Sequence, residues 1–360
     1  LRQRVAAQRW DCDWSDSGRF VAAHSPRQFR ALVAKAEAQS RQLGVPIQVV
    51  PREAQHLELK TQRYFGGVVY PRHASVHPAK LLRALHGQAR AAGMRYVEHC
   101  AALGIEREKA EFLVNTSRGI TRARRVIIAT NGYTGRFSPW HRRRIIPIRS
   151  NIIATEPLPD GLMDALLPTR RHVVDTAKLV VYYRASPDGR RMVFGGRAAL
   201  FDVPARVAVP RLLTWLRRLF PELQSARVSH SWSGLVAYTF DELPHIGCRD
   251  GVHYSMGYCG SGVSLSVHFG RKIGLQVLER AGLIRRSVEG RTHICRLDAR
   301  PMHRGFEWMR HYERFWNERL DVLEALLEAE DAAAESAAGT GADSEPGAMR
   351  SGRQRKEKRS

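Results

Sequence analysis

The chain has 360 residues, 43% of them hydrophobic, which is enough to build the cores of two cooperating domains. It has no apolar run of about 18 residues or more, so we expect no membrane-spanning helix. The 58 basic and 35 acidic residues give a formal net charge of +23, a balance that can attract nucleic acid or anionic lipid. Because the arginines are spread along the chain, we interpret the charge as solvated surface and predict no nucleic-acid partner.

The cysteine usage is typical of a reducing environment. The five cysteines are widely spaced, odd in number and without a C-x-x-C pair. This argues against a disulfide framework or a zinc site, so we predict no metal and a cytoplasmic location. The first residue is Leu1 rather than Met, from which we expect a fragment of a longer chain.

The first part of the chain alternates between strand and helix patterns. Residues 19–24 predict a short strand, and Ser25 and Pro26 predict the N-cap and first residue of a helix that ends at Gly44. Residues 64–70 predict a second strand. A second helix is predicted to begin at Pro78 and to bury one side, which consists of Leu81, Leu82, Leu85 and Ala89.

Three strands are predicted after this helix, at 95–100, 111–116 and 125–130. The last is an almost uninterrupted apolar run, as in a buried parallel strand. From residue 145 the pattern becomes β-rich, with a hairpin turn predicted at 187–189. Helices are predicted at 210–220, 260–281 and 306–330.

Two segments have backbone that a dinucleotide or another flat or anionic ligand could approach, although neither has the G-x-G-x-x-G spacing. In RVIIATNGYTG (125–135), a buried strand ends at Asn131 and Gly132, and the ends of such strands are where ligands bind in α/β sheets. In MGYCGSGVSLSVHFGRKIG (256–274), a glycine-rich turn precedes a helix whose positive end would face an anionic ligand. Many buried strands end in Asn-Gly without binding a ligand, and the alternative for the second segment is a tight turn that only packs a helix on a strand.

A third segment, WSGLVAYTFDELPHIG (232–247), combines aromatic residues, an acidic pair and His245. We interpret His245 as structural, and Cys259 as a packing residue rather than a nucleophile. The chain has no H-E-x-x-H motif, Walker loop or G-x-S-x-G elbow, which argues against those chemistries.

Taken in order, the segments from about 11 to 278 resemble the D-amino-acid oxidase superfamily of FAD enzymes. They are most similar to its glycine oxidase, sarcosine oxidase and gamma-glutamylputrescine oxidoreductase branch. The segments that carry the resemblance are those above together with YFGGVVYPRHASVHPAKL (64–81), IIPIRSNIIATEPL (145–158) and YYRASPDGRRMVFGGR (182–197).

The resemblance implies an α/β fold in which a doubly wound FAD-binding domain interleaves with an antiparallel substrate-binding sheet. It implies hydride transfer from an amine C–H to the flavin, with oxygen as the electron acceptor and a small-molecule amine as the substrate. The FAD-binding parts would be about 75–140 and 248–282, and the substrate sheet about 15–74 and 141–247, within a domain of 1–290. A helical extension (291–330) and a disordered basic tail (331–360) would follow.

Site residues follow from the same resemblance. The cofactor would be bound by Cys100, Ala101, Ala129, Thr130, Asn131, Gly257, Tyr258, Gly260, Ser261, Gly262 and Val263. The substrate side would hold Tyr182, Arg184 and Tyr238, which are assigned from strand position.

The sequence departs from the family pattern at three places. No G-x-G-x-x-G unit occurs, from which we expect an N-terminally truncated FAD domain. Val236 stands where glycine-type oxidases have an Arg that binds the substrate carboxylate, which favours an amine or blocked amine over a free amino acid. The string from Val236 to Thr239 replaces the C-x-Y-T that holds flavin covalently in the sarcosine oxidase branch, so non-covalent FAD is predicted.

Three functional hypotheses follow. The leading one is an FAD-dependent amine oxidoreductase that acts on a gamma-glutamylputrescine-like or other blocked or secondary amine. The second is a glycine- or sarcosine-type amino-acid oxidase, which Val236 disfavours. The third is an inactive remnant or a basic nucleic-acid-binding protein, against which the chain lacks the interleaved basic and aromatic residues of a nucleic-acid platform.

Overall fold

A computed structural model describes residues 1–198, 203–277, 284–289 and 292–297 of the chain. Contacts divide the chain into a first unit, Leu1–Ala281, and a second unit, Gly282–Ser360. Within the second unit, Ile284–Glu289 and Thr292–Leu297 pair as an antiparallel hairpin. Residues 292–297 are thus a strand where the helical extension was expected to begin, and residues 298–360 lie outside the described part of the chain.

The first unit contains seven helices and fourteen strands among its described residues. The helices are α1 (Arg2–Ala7), α2 (Pro26–Leu43), α3 (Pro78–Ala91), α4 (Pro139–Arg142), α5 (Leu162–Leu166), α6 (Ala205–Leu219) and α7 (Gly262–Val277). The strands are β1 (Arg19–Ala22), β2 (Gln48–Val50), β3 (Gly67–Tyr70), β4 (Ala102–Glu108), β5 (Glu111–Thr116), β6 (Gly119–Ala123), β7 (Val126–Ile128), β8 (Ile146–Thr155), β9 (His172–Asp175), β10 (Val181–Ala185), β11 (Met192–Gly196), β12 (Val228–Tyr238), β13 (His245–Arg249) and β14 (Val252–Met256). Short 3-10 helices lie at Arg52–Leu57, Asn131–Tyr133 and Pro221–Leu223.

The largest sheet has eight strands in the order β12-β8-β11-β10-β9-β1-β3-β2. All neighbours are antiparallel except β1 and β9, which are parallel. One face of this sheet packs against α6, and its fully buried residues include Phe20, Phe194, Ile153, Leu212 and Leu216. Each such side chain contributes about 1.5–3 kcal/mol by burial, so this layer is the main core of the unit.

A smaller sheet, in the order β13-β14-β7, pairs β14 and β7 in parallel and contacts α7. The antiparallel strands β4, β5 and β6 form a separate three-stranded sheet beside it, and Phe112 of β5 packs with Ile128 and Val252. A parallel pair with its helix therefore interleaves with a large antiparallel sheet, which confirms the predicted α/β fold class.

The predicted start and end of α2 are confirmed. The Gln28 backbone N–H donates to the Ser25 side-chain oxygen over 3.2 Å, Pro26 is the first helical residue, and Gly44 closes the helix with a φ of 60°. Ser25 satisfies an amide that the helix leaves unpaired, and Gly44 adopts the left-handed conformation without the penalty of a side chain.

The strand predicted at 95–100 is wrong, because these residues have no regular structure. A strand requires a neighbour for its backbone groups, and among the residues that the structure describes none pairs with this segment. Tyr96 and Val97 are accordingly 58% and 57% exposed. Leu82 of α3 is 67% exposed rather than buried, and Ile127 of β7 is 47% exposed, so neither side chain lies in a core.

Two helix starts also differ from the prediction. The helix expected to begin at residue 210 begins at Ala205 and tolerates Pro210 in its second turn, and the helix expected from residue 260 begins at Gly262. The strands β2, β4, β6, β9 and β13 were not predicted. None of the helices in the described part of the chain combines the length and hydropathy needed to cross a bilayer.

Candidate functional site

The two predicted cofactor segments meet where the parallel strands β7 and β14 end. The Gly257 backbone N–H donates to the Asn131 side-chain oxygen over 2.9 Å, which ties the loop after β14 to the loop after β7. Asn131 itself has a φ of 46°, a conformation that Asn tolerates better than most residues. The register of the parallel pair thus brings residues 126 positions apart in sequence into one hydrogen bond.

The glycines of the loop after β14 have different surroundings. Gly257 has a φ of +74°, and a Cβ placed there would lie 2.2 Å from the Thr239 methyl group, so only glycine is accommodated. Gly260 has a φ of +89°, but a Cβ there would meet nothing within 4 Å. The loop is therefore packed tightly at its start and open at the position where a flat ligand could approach its backbone.

The same loop is anchored to β12. The Cys259 backbone N–H donates to the Ala237 carbonyl over 3.0 Å, and its thiol lies 3.1 Å from the Gly257 carbonyl and 3.7 Å from the Thr239 hydroxyl. Burial raises the pKa of the Cys259 thiol. A neutral thiol that donates to a carbonyl supports the interpretation of Cys259 as a packing residue.

Most of the predicted cofactor residues around these loops are accessible. Those exposed are Ala129, Thr130, Gly260, Ser261 and Val263, and those partly exposed are Asn131, Tyr258 and Gly262. The first turn of α7 begins at Gly262, and its backbone amides are not paired within the helix. Open glycine backbone beside a helix N-terminus is suited to the pyrimidine edge of a flavin, where negative charge collects.

Two predicted cofactor residues lie elsewhere. Ala101 donates its backbone N–H to the Ser117 side-chain oxygen over 3.0 Å, which places it with Cys100 at the entry to the β4–β5 hairpin. None of the described hydrogen bonds links these two residues to the loops after β7 and β14. Their assignment to the cofactor site stays a prediction.

The three predicted substrate residues lie on one face of the large sheet, opposite its core. Tyr182 and Arg184 alternate with the buried Tyr183 on β10, and the register of β8 with β12 places Tyr238 beside Ile146 at the end of β12. Because side chains alternate across a strand, this second face also carries Ser150 and Val236. All of these side chains are partly exposed.

Tyr182 is held across the sheet by its hydroxyl. A short hydrogen bond joins this hydroxyl to the Ser150 hydroxyl two strands away. Gly195 of the intervening strand makes room, since a Cβ there would lie 2.2 Å from the Tyr182 ring. Burial raises the pKa of Tyr182, so the phenol stays protonated and can donate a hydrogen bond near neutral pH.

Tyr238 lies on the same face as Tyr182, whereas the Arg184 guanidinium is hydrogen-bonded to backbone outside the sheet. Burial raises the pKa of Tyr238, the negative charge of Glu242 raises it further, and the positive charge of Arg197 lowers it. The Arg184 guanidinium donates to the Val76 carbonyl over 2.9 Å. Tyr182 and Tyr238 therefore lie in one region, while Arg184 supports the start of α3.

Other polar residues of the region have structural partners. His245 Nε2 lies 3.0 Å from both carboxylate oxygens of Asp241, which supports the interpretation of this histidine as structural. The Tyr133 hydroxyl accepts the Leu235 backbone N–H over 3.1 Å and fastens β12 to the loop after β7. Within the described ranges, no group of three or more His, Cys, Asp or Glu side chains is arranged to hold a metal ion.

The sequence interpretation missed three residues of this region, namely Tyr133, Ser150 and Arg197. Ser150 and Arg197 lie inside segments that were recognised only as strands, and their positions depend on the pairing of β8 with β11. Alternation along each strand was the available signal, but it indicates a shared face only once the register is known.

The fold and these loops are of the kind that binds a dinucleotide cofactor at the ends of parallel strands, and comparison with known proteins identifies the family. Residues 1–274 match the family model described as "FAD dependent oxidoreductase" (DAO). Since this match covers more than half of the chain, the protein belongs to that family of FAD-dependent oxidoreductases.

Individual relatives give a more detailed comparison. The chain is 30% identical over 278 residues to gamma-glutamylputrescine oxidoreductase of Escherichia coli (strain K12), covering 76% of this chain and 64% of the relative. It is 31% identical over 258 residues to the probable oxidoreductase OrdL of Rhizobium meliloti (strain 1021), covering 71% and 59%. The chain thus spans about three fifths of the length of these relatives.

Solved structures support the fold. The crystal structure of glycine oxidase from Geobacillus kaustophilus superposes with a TM-score of 0.65 at 18% identity, covering 83% of this chain and 77% of that one. L-Proline dehydrogenase from P. horikoshii gives a TM-score of 0.64 at 18% identity, covering 77% and 76%. These likenesses establish a shared fold.

Proposed function

We propose that the protein uses FAD to oxidise the C–N bond of an amine. The observation that carries this proposal is the junction of Asn131 with Gly257, beside a sheet face that holds Tyr182 and Tyr238. FAD, when bound, supplies the acceptor for the hydride that leaves the amine carbon. We further propose that oxygen is the final electron acceptor and that the protein acts in the cytoplasm.

The residues of this chain would bind and orient the two reactants. The open backbone at Gly260 and the amides that begin α7 would hold the flavin edge and favour negative charge there. The phenols of Tyr182 and Tyr238 would form the opposite wall of the substrate space and exclude water from the reacting carbon. Both phenols have raised pKa values, so they act as hydrogen-bond donors rather than as bases.

The amine class is inferred from Val236. This residue faces the same side as Ser150, and it offers a substrate carboxylate neither charge nor hydrogen bond. Leaving a carboxylate without a partner costs at least about 1–3 kcal/mol, which disfavours a free α-amino acid. The similarity to gamma-glutamylputrescine oxidoreductase supports a blocked or secondary amine as the substrate.

Val236 also bears on how the cofactor is held. A thioether to the flavin needs a cysteine at this position, and valine cannot form one. We therefore propose non-covalent FAD, and acid precipitation of the flavin-loaded protein should leave the flavin in the supernatant. Flavin that stays with the precipitated polypeptide would contradict this.

Anaerobic flavin reduction tests the proposed activity. Gamma-glutamylputrescine or a simple secondary amine should bleach the visible flavin band of the loaded protein faster than glycine or sarcosine does. A Val236→Arg variant should reverse this preference, because the guanidinium would pair with an α-carboxylate. If the unaltered protein is reduced equally well by glycine, the amine assignment is wrong and an amino-acid oxidase is supported instead.

A further inference from the structure

The face of the large sheet that holds Ser150, Tyr182 and Tyr238, which we call the substrate face, also carries a cation that has no role in the proposed activity. Arg197 directly follows β11, and it is partly exposed. Its Nε is buried and has no hydrogen-bond partner among the residues that the structure describes. A buried guanidinium N–H without a partner is costly, which makes Arg197 a candidate for binding an anion.

Strand register places Arg197 close to the substrate residues. Gly196 of β11 pairs with Asn151 of β8, and continuing this register by one residue brings Arg197 beside Ser150. Ser150 in turn accepts or donates the hydrogen bond with the Tyr182 hydroxyl, which crosses β11 at Gly195. Arg197 therefore lies beside the hydroxyl pair that lines the substrate face.

Arg197 and Val236 lie on different strands, and the distance between them indicates where a substrate carboxylate would be bound. Val236 is on β12, and Arg197 follows β11, with β8 between these strands. Two strand spacings amount to about 10 Å, which is several covalent bonds. A carboxylate held at Arg197 would thus lie well away from the place where an α-carboxylate would meet residue 236.

We propose that Arg197 binds an acidic group of the substrate, and that the substrate is an amine whose carboxylate is remote from the C–N bond to be oxidised. This inference rests on the proposed amine oxidation and makes it more specific. The electrostatics of Tyr238 support the placement of Arg197 near the substrate face, because the positive charge of Arg197 lowers the pKa of this phenol while the negative charge of Glu242 raises it.

The test compares two ligands that differ only in the acidic end. Calorimetric titration of the full chain, with FAD present throughout, would measure the binding of 5-aminopentanoate and of pentylamine. A hydrogen-bonded charge pair is typically strong enough to improve affinity about ten-fold or more. We expect the unaltered protein to prefer 5-aminopentanoate by this factor, Arg197→Met to lose the preference, and Arg197→Lys to keep part of it.

Arg190 provides a matched control. It belongs to the same β10–β11 hairpin but is exposed at the turn, so Arg190→Met removes an equal charge and should leave the preference unchanged. An unaltered protein that binds both ligands equally, or an Arg197→Met variant that folds and keeps the preference, would overturn the inference. Bleaching of the flavin band by the two amines is recorded separately. Its absence would argue against amine oxidation, whereas the role of Arg197 in binding is decided by the affinities.

Discussion

The packing of Gly257 against Thr239 gives a quantitative prediction. In Gly257→Ala, the new methyl group would lie 2.2 Å from the Thr239 methyl, and the residue would keep a φ of +74°. The left-handed conformation costs a residue other than glycine about 1 kcal/mol, and overpacking typically adds about 1–3 kcal/mol. We therefore expect Gly257→Ala to lower the free energy of unfolding of the first unit by about 3 kcal/mol.

Gly260→Ala is the matched control, because it has a similar φ of +89° and open space around the new methyl. This variant should lose only the conformational part, about 1 kcal/mol. Urea unfolding followed by far-ultraviolet circular dichroism measures both values from the transition midpoint at constant slope.

A second change separates the collision from the backbone strain. Thr239→Ser removes the methyl group that meets residue 257 and keeps the hydroxyl, which donates to the Leu243 carbonyl over 2.8 Å. Gly257→Ala should therefore cost about 2 kcal/mol less in the Thr239→Ser background than alone. Equal costs for Gly257→Ala and Gly260→Ala, or no relief from Thr239→Ser, would refute the packing argument.

Three further predictions concern Asn131, Asp175 and Tyr182. Asn131→Ala leaves the Gly257 N–H without its acceptor, and it should cost about 1–3 kcal/mol in urea unfolding and weaken FAD binding; an unchanged midpoint would contradict this. Burial raises the pKa of Asp175 from 3.8 to about 6, so the folded state binds the proton more tightly and its stability should fall as the pH rises from about 4 to 6. The stability of Asp175→Asn should change little over this pH range, in which the unaltered protein loses at most about 3 kcal/mol. An equal loss in the variant would argue against a raised pKa at Asp175. Tyr182→Phe loses the hydrogen bond to Ser150 and should slow flavin reduction by amines with little change in thermal stability, whereas unchanged kinetics would remove Tyr182 from the site.

Local signals in the sequence predicted the elements whose ends depend on local chemistry. Ser25, Pro26 and Gly44 each act through their own backbone or side chain, and α2 begins and ends where they indicate. The Pro-Asp-Gly turn between β10 and β11 forms for the same reason, with a φ of 71° at Gly189.

Features that depend on distant neighbours could not be predicted in this way. Residues 95–100 have the composition of a strand, but a strand forms only beside a partner. Leu82 and Leu85 both fit a helical apolar stripe, yet only packing decides which of them is covered. The contribution of Arg197 depends on strand register, which the sequence of one strand does not contain.

In the candidate site, too, local motifs could be predicted from the sequence and long-range contacts could not. The glycine-rich motif and the Asn-Gly motif were recognisable as ligand-binding backbone, whereas their direct hydrogen bond required the parallel pairing of β7 and β14. Tyr182 and Tyr238 were chosen from strand position, and the structure places both on one face. Arg184 was chosen by the same argument, but its guanidinium reaches the Val76 carbonyl.

The central claim is that the loops after β7 and β14 bind the flavin, and an equilibrium titration with FAD tests it most directly. The visible absorption of FAD would be recorded as the purified full chain is added, for the unaltered protein and for Asn131→Ala. The account predicts a saturable shift of the flavin bands with the unaltered protein and weaker binding by Asn131→Ala, because the Gly257 loop loses its anchor. Bands that do not change at any protein concentration, or that change equally for a folded Asn131→Ala variant, would contradict it.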